Sequence, residues 1–187
     1  MTTAYDAPHD ELEGRYWSPT RIALALVVLL ITAMWVWIYL WAPRSNPDRL
    51  DTRAFADAAQ EWCEPFAADL DALPITTTDT TIAQRAINVA EGTRLTVAMV
   101  EGLKAEAAAV TDENDVQLLT LWFDDWDAYV ADREAYVELL RDAPADADRK
   151  DLAFTLTERA AGGIYTRTID GFAEVNDMAS CAVPRDI

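Results

Sequence analysis

From Ile22 to Ala42 the chain runs for 21 residues without a charge, a glycine or a proline. Coiled as a helix, IALALVVLLITAMWVWIYLWA is about 31 Å long, the thickness of a bilayer's hydrocarbon core. This predicts one transmembrane helix over residues 22–42, after a tail of residues 1–21. Beyond it the pattern changes. Apolar residues recur every three or four positions, broken by Pro- and Thr-rich joins, which is the mark of amphipathic helices.

A first helix is expected from Pro47 or Asp48, capped by Asn46, with the stripe Phe55, Ala59, Trp62, Phe66 and Leu70. Pro65 falls inside that stripe and predicts a kink or break. A second helix should begin near Ile82 and follow Ile87, Ala90, Val97, Val100 and Leu103, with Gly92 as its weak point. The acidic cluster of residues 111–115 then reads as a helix start, because carboxylates complement the dipole of a first turn. The third helix is the clearest. Val116, Leu119, Phe123, Trp126, Val130, Arg133, Val137 and Leu140 alternate in steps of three and four, the seam of a bundle helix, until Pro144 ends it. A fourth helical region is expected from Asp148 through Leu152, Leu156 and Ala160. It should bend at Gly162-Gly163 and resume through Ile164, Thr168, Phe172 and Val175. The fold class is therefore all-α: one transmembrane helix, then an antiparallel bundle of about four helices in a single domain, residues 43–187. Such a bundle would return the chain's last residues toward the membrane.

The apolar run is longer than the core of a cleaved signal peptide, and no small-residue cleavage site follows it. It ends instead in Trp35, Trp37, Tyr39 and Trp41, with Trp17 on the opposite side. Rings of this kind anchor a span at headgroup level, so an uncleaved signal anchor is expected. Flanking arginines do not decide its direction: Arg15 and Arg21 precede it, and Arg44, Arg49 and Arg53 follow. The cysteines arbitrate. Cys63 and Cys181 both follow the span, and an even pair in a domain of this size points to a disulfide in an oxidising compartment. Two buried cytosolic thiols are the competing reading. The expected arrangement is a cytoplasmic amino end, a single pass through the cell membrane, and an extracytoplasmic domain.

Charge narrows the partners. Residues 43–187 hold 13 Lys and Arg against 29 Asp and Glu, a formal charge of −16. Such a surface repels nucleic acid and anionic headgroups and favours a basic partner. The spacing Trp122-x-x-Asp125-Trp126-x-x-Tyr129-x-x-Asp132-Arg133-x-x-Tyr136 resembles one in uncharacterised single-pass membrane proteins of actinobacteria. So does the ending Ile169-Asp170-x-Phe172-Ala173-x-x-Asn176-Asp177-Met178-x-x-Cys181-x-x-Pro184. That resemblance implies an anchored extracytoplasmic helical domain and brings no activity with it.

The domain's side chains leave little room for catalysis. The chain's histidine, His9, precedes the span, so neither a Ser-His-Asp triad nor a His-ligated zinc site can be built in residues 43–187. Phosphate-cradling glycine loops are missing from the sequence, no metal site is expected, and no cofactor is implied. Asp124, Asp125, Asp127, Asp132, Glu134 and Glu138 crowd the third helix; a pair of them could hydrolyse a glycosidic bond, but a solvated acidic face is the plainer expectation. Asp142, Asp146 and Asp148 lack the Gly and terminal Glu of a calcium loop.

Arg133 stands out because it takes a seam position where an apolar residue belongs. A buried guanidinium needs a partner, and Asp170 or Asp177 of the last helix is the expected source. The plain reading is an internal ion pair; the functional one is a pocket in which Arg133 grips an anion, walled by Tyr129, Tyr136 and Trp126. The expected function is a non-catalytic binding or accessory protein that docks on another membrane or envelope protein, with the lipid bilayer as its other partner. A ligand-sensing domain is the alternative, and a carboxylate-dependent hydrolase a further one.

Overall fold

The computed structural model describes residues 18–41, 46–157 and 164–186. It divides the chain into two units, Met1–Ser45 and Asn46–Ile187. All regular structure among the described residues is helical: α1 (Pro19–Trp41), α2 (Arg53–Asp71), α3 (Ile82–Ala107), α4 (Glu113–Asp142) and α5 (Tyr165–Val175), then a 3₁₀ turn at Ala179–Cys181.

The first unit is α1 alone. Pro19 stands at its first position, and the Ser18 hydroxyl accepts the Arg21 backbone N–H at 3.3 Å. At 23 residues, with a mean hydropathy of 2.5 in its most apolar window, α1 is long and apolar enough to cross a membrane. None of its side chains is buried within the protein. Thr32 returns its hydroxyl to Val28 O at 2.8 Å, so this group is satisfied inside the helix. Trp35, Trp37, Tyr39 and Trp41 lie on the last turns of α1 and are exposed. Trp17 and Ala42 lie outside the described residues.

The second unit is an antiparallel bundle. α2 packs on α3, α3 on α4 and α4 on α5, while α2 and α5 are joined by the 3₁₀ turn, which packs on both. The core runs from Phe55 through Met99, Leu103, Trp122 and Trp126 to Ile169 and Phe172. A smaller cluster of Ala86, Val89, Tyr136, Val137, Leu140 and Leu152 fills the other end. α4 is the central element. Both of its stripes are buried, Leu119–Phe123–Trp126 and Trp122–Tyr129–Tyr136, because it has α3 on one side and α5 on the other.

Several sequence expectations change. Asn46 caps a turn rather than a helix, with Asp48 N–H donating to its Oδ1 at 3.0 Å, and α2 starts at Arg53. The residues that lead into α2 are held from another helix: Asp115 accepts the N–H groups of Asp51 and Thr52 at 2.8 and 3.0 Å. α2 does not break at Pro65. Pro65 and Glu61, whose carbonyl loses its donor, both lie on the exposed side, where water can serve that carbonyl. On α3 the inward stripe is Ala86, Val89, Thr93, Thr96, Met99 and Leu103, and Ile87 is 62% exposed. Thr93 and Thr96 are tolerated inside because their hydroxyls donate to Val89 O and Gly92 O at 2.7 and 2.8 Å. On α4, Val116 is exposed at the start of the expected seam.

The largest departure is the fourth helical region. Residues 153–157 form no helix, although Leu152 is buried and Leu156 half-buried as the pattern requires. Side chains from other elements take the backbone groups that a helix would need. Tyr136 and Arg85 donate to Leu152 O at 3.0 and 3.3 Å, and Asp132 accepts Thr157 N–H at 2.6 Å. Arg149 meanwhile reaches the carbonyls of Thr77, Thr78 and Thr80 in the α2–α3 join. Ala160, Gly162 and Gly163 lie outside the described residues. Helix resumes at Tyr165.

After α5 the chain reverses at Asp177, whose φ of 59° is the left-handed conformation that ends many helices. Met178 N–H reaches back to Ala173 O at 2.8 Å. Beside the reversal, buried Asn176 clamps the domain's first residues. It accepts Leu50 N–H at 2.8 Å and donates to Asp48 O and Phe172 O, both at 3.0 Å. Asn176→Ala should therefore destabilise the domain by about 2 kcal/mol, since it orphans buried backbone groups. Urea unfolding of both proteins checks this, and a change within about 0.5 kcal/mol, the scatter of surface substitutions, would contradict it.

Candidate functional site

The chemistry of the bundle concentrates around Arg133, two-thirds of the way along α4. Its side chain is 0% exposed. Asp186 supplies the counter-charge, with Nη1 to Oδ1 at 2.8 Å and Nη2 to Oδ2 at 2.6 Å, a two-pronged pair. The carboxylate of Asp186 is only 6% exposed. Arg133 Nη1 also donates to the Tyr129 hydroxyl at 3.0 Å, and Nε to Thr93 Oγ1 at 3.2 Å. The guanidinium lies 5.5 Å from the centre of the Tyr129 ring. Burial works against the charge on Arg133. The Asp186 carboxylate and Tyr129 outweigh it, so the guanidinium holds its proton more tightly than a free arginine does. Burial likewise raises the Tyr129 pKa against the pull of Arg133.

Asp170 and Asp177, the expected partners, are engaged elsewhere. Asp170 accepts Val183 N–H at 2.8 Å, and Asp177 pairs with Arg49 and Arg53 at 3.4 and 3.0 Å. The reason is geometric. α5 reaches the Arg133 level of α4 only with its first turn at Tyr165, whose ring stands 6.4 Å from that of Tyr129. The chain then reverses and runs back along the bundle to deliver Asp186. The last described residues therefore lie beside Leu70 and Leu73, beyond α2, and not at the end where residues 46–50 join the domain.

The predicted walls are divided. Tyr129 belongs to the site. Trp126 stands behind it, ring centres 5.8 Å apart, as a fully buried core residue whose Nε1 has no hydrogen-bond partner among the described residues. Tyr136 is one turn away in the smaller cluster, packed on Phe154 at 5.2 Å with Arg85 over its ring. Sequence reading missed Gly92, Thr93 and Asp186. Gly92 carried a signal: a Cβ there would lie 2.1 Å from Asp186 Oδ2 and 2.6 Å from Arg133 Nη2. The helix omits a side chain where the ion pair presses on its backbone. Gly102 does the same for Trp62, whose indole donates to Met99 O at 3.0 Å and would lie 2.1 Å from a Cβ.

The acids of α4 separate by location. Asp124, Asp127, Glu134 and Glu138 are exposed. Asp132 is an internal strut, accepting Thr157 Oγ1 at 2.7 Å and the Tyr165 hydroxyl, and so ties both sides of residues 158–163. Burial, then this contact, raises the pKa of Tyr165 far above its usual value. Carboxylate oxygens of Asp51, Asp112 and Asp115 lie within 4.8 Å of one another, the spacing of a cation site. Both oxygens of Asp115 already accept backbone N–H groups, and Asp112 accepts Asp115 N–H at 3.0 Å, so the capping of α4 and the anchoring of residues 51 and 52 account for the cluster.

Cys63 and Cys181 form a disulfide with Cα atoms 5.2 Å apart, and both are fully buried. It joins the middle of α2 to the 3₁₀ turn. Gln60 braces the same junction, donating to Ser180 Oγ at 2.7 Å and accepting Ser180 N–H at 3.0 Å. A scan against protein-family models, a search of the curated proteins and a search of the solved structures each find no match to this chain.

Proposed function

We propose that this chain is a membrane-anchored, non-catalytic binding or accessory protein. In this reading α1 is an uncleaved signal anchor crossing the cell membrane once, with residues 1–21 cytoplasmic and the bundle extracytoplasmic. The length and hydropathy of α1 support the anchor. The Cys63–Cys181 disulfide supports an oxidising compartment for the domain. Trp35, Trp37, Tyr39 and Trp41 then serve at one interface.

The observation that carries the non-catalytic reading is the distribution of the α4 carboxylates. A hydrolase needs two of them facing one cleft, one raised in pKa and one ionised. Here Asp124 and Asp127 border one open groove and Glu134 and Glu138 another, all four solvent-exposed. Asp132 braces the chain and Asp125 is buried, so neither groove pairs a buried acid with an exposed one. What remains is a stable acidic surface held at the membrane, suited to docking a membrane or envelope protein with a basic face. Crosslinking in intact membranes followed by purification in mild detergent should yield one stoichiometric partner. Its recovery should fall as salt is raised, because exposed charges are screened within about 10 Å at 0.1 M ionic strength. A protein that purifies alone at low salt would sink the proposal.

A further inference from the structure

Asp186 reaches Arg133 from outside the bundle's helices. It stands five residues beyond Cys181, on a stretch with no helical hydrogen bonds. Between those two residues the described polar ties to the bundle are Val183 N–H to Asp170 and, at 3.5 Å, the Tyr129 hydroxyl to Pro184 O. The polar lining of the chamber that takes the carboxylate comes from α3 and α4, with Leu73 beside Gly92. Arg133 supplies two parallel donors, the Tyr129 and Thr93 hydroxyls fix its guanidinium, and Gly92 supplies the space. Beside it a groove of about 320 Å³ continues over Leu70, Leu73, Pro74 and Ile75, with Arg185 and Asp186 as one wall. Ile75, on the far side, is 85% exposed.

We propose that the Arg133 chamber is a carboxylate-binding site, occupied by Asp186 and open to a carboxylate-bearing ligand that takes its place. This inference does not rest on the docking reading. Planar, paired N–H donors match a carboxylate's two oxygens. A tetrahedral phosphate would need space for further oxygens, and Asp186 Oδ2 already presses on the backbone of α3 at Gly92. The buried guanidinium makes the exchange selective, because whatever replaces Asp186 must bring a negative charge with it. The groove gives the rest of such a ligand an apolar surface to follow. Asp186 competes from the same chain at an effective concentration in the mM range, so a ligand must bind well to displace it.

The test uses the full-length protein in mild detergent, with Asp186→Gly and Asp186→Asn variants and sodium acetate as probe against sodium chloride at equal ionic strength. Both variants should melt lower than wild type in chloride and regain part of the loss in acetate. Wild type should need roughly tenfold more acetate for any gain, because its own carboxylate competes. The double variant Arg133→Met, Asp186→Gly should not respond. A peptide of residues 182–187 that acts at lower concentration than acetate assigns the site to acidic polypeptide segments. Equal potency assigns it to small carboxylates. In wild type, amide hydrogen exchange at Ala182, Val183, Arg185 and Asp186 should quicken in acetate relative to chloride. That measurement decides the matter if neither variant folds. Equal melting of both variants in acetate and chloride, or unchanged exchange in wild type, would overturn the proposal.

Discussion

Replacing Cys63 and Cys181 together by alanine should destabilise the helical domain by roughly 5 kcal/mol. The crosslink spans 118 residues, and the chain-entropy relation gives about that value for a loop of this length. The fold adds a reason for the full effect to be felt. α2 and α5 do not pack on each other along their lengths, so the bundle closes on this side through the 3₁₀ turn that carries Cys181 and through Arg53, which pairs with Asp177 and donates to Asn176 O, both at 3.0 Å. Without the bond, the turn is held by Gln60 and by the burial of Met178. Alanine is the right replacement because both positions are fully buried, and a serine hydroxyl would add an unsatisfied polar group. Urea unfolding of the full chain in detergent, followed by Trp122 and Trp126 emission, reads the change. A loss below about 1 kcal/mol would mean that the unfolded chain is already compact, or that the crosslink strains the fold.

A loss of that size is comparable with the whole stability of many domains, so the variant is expected to be partly unfolded at 37 °C. The 3₁₀ turn should open first, because its remaining ties are few. The segment carrying Asp186 is continuous with it, so Arg133 would lose its counter-charge in the same event.

How far the sequence reveals this domain depends on the range over which each signal acts. The start of α3 at Thr81 and that of α4 at Asp112 are local. Each cap accepts a hydrogen bond from three residues on, and composition alone marks both. The buried pairing of Cys63 with Cys181 is readable because cysteines carry their own chemistry. The non-helical stretch from Leu152 to Thr157 is not readable. Its spacing fits a helix, and only partners from α3 and α4, namely Arg85, Tyr136 and Asp132, divert its backbone. The Arg133 site shows the same division. That a charge on the seam needs a partner is evident from the pattern, as is the aromatic beside it at Tyr129. The identity of the partner is not, because it depends on where the chain goes after the reversal at Asp177. Gly92 looked like a helix defect for the same reason: its neighbours lie 41 and 94 positions away in the chain.

Gly92 therefore gives the second large effect, with a sign opposite to the usual one. In an exposed helix interior, Gly→Ala stabilises by up to about 1 kcal/mol. Here the new methyl would stand 2.1 Å from Asp186 Oδ2 and 2.6 Å from Arg133 Nη2. Tips of flexible side chains can normally swing aside. These two are pinned to each other, and Arg133 is closed in by Thr93 and Tyr129. Asp186 is the group able to leave, since its backbone lies outside the helices. Its departure strands a buried guanidinium, and breaking a buried pair in this way costs about 3–5 kcal/mol. The helix-propensity gain offsets at most a third of that, so Gly92→Ala should lower stability by about 2–4 kcal/mol. Combining it with Arg133→Met should recover much of the loss, because no charge is then left without a partner. Melting curves for the two single variants and the double variant measure the coupling between the positions. A Gly92→Ala protein as stable as wild type would show that the pair can move off α3 without penalty, and the close fit at this site would then have no energetic weight.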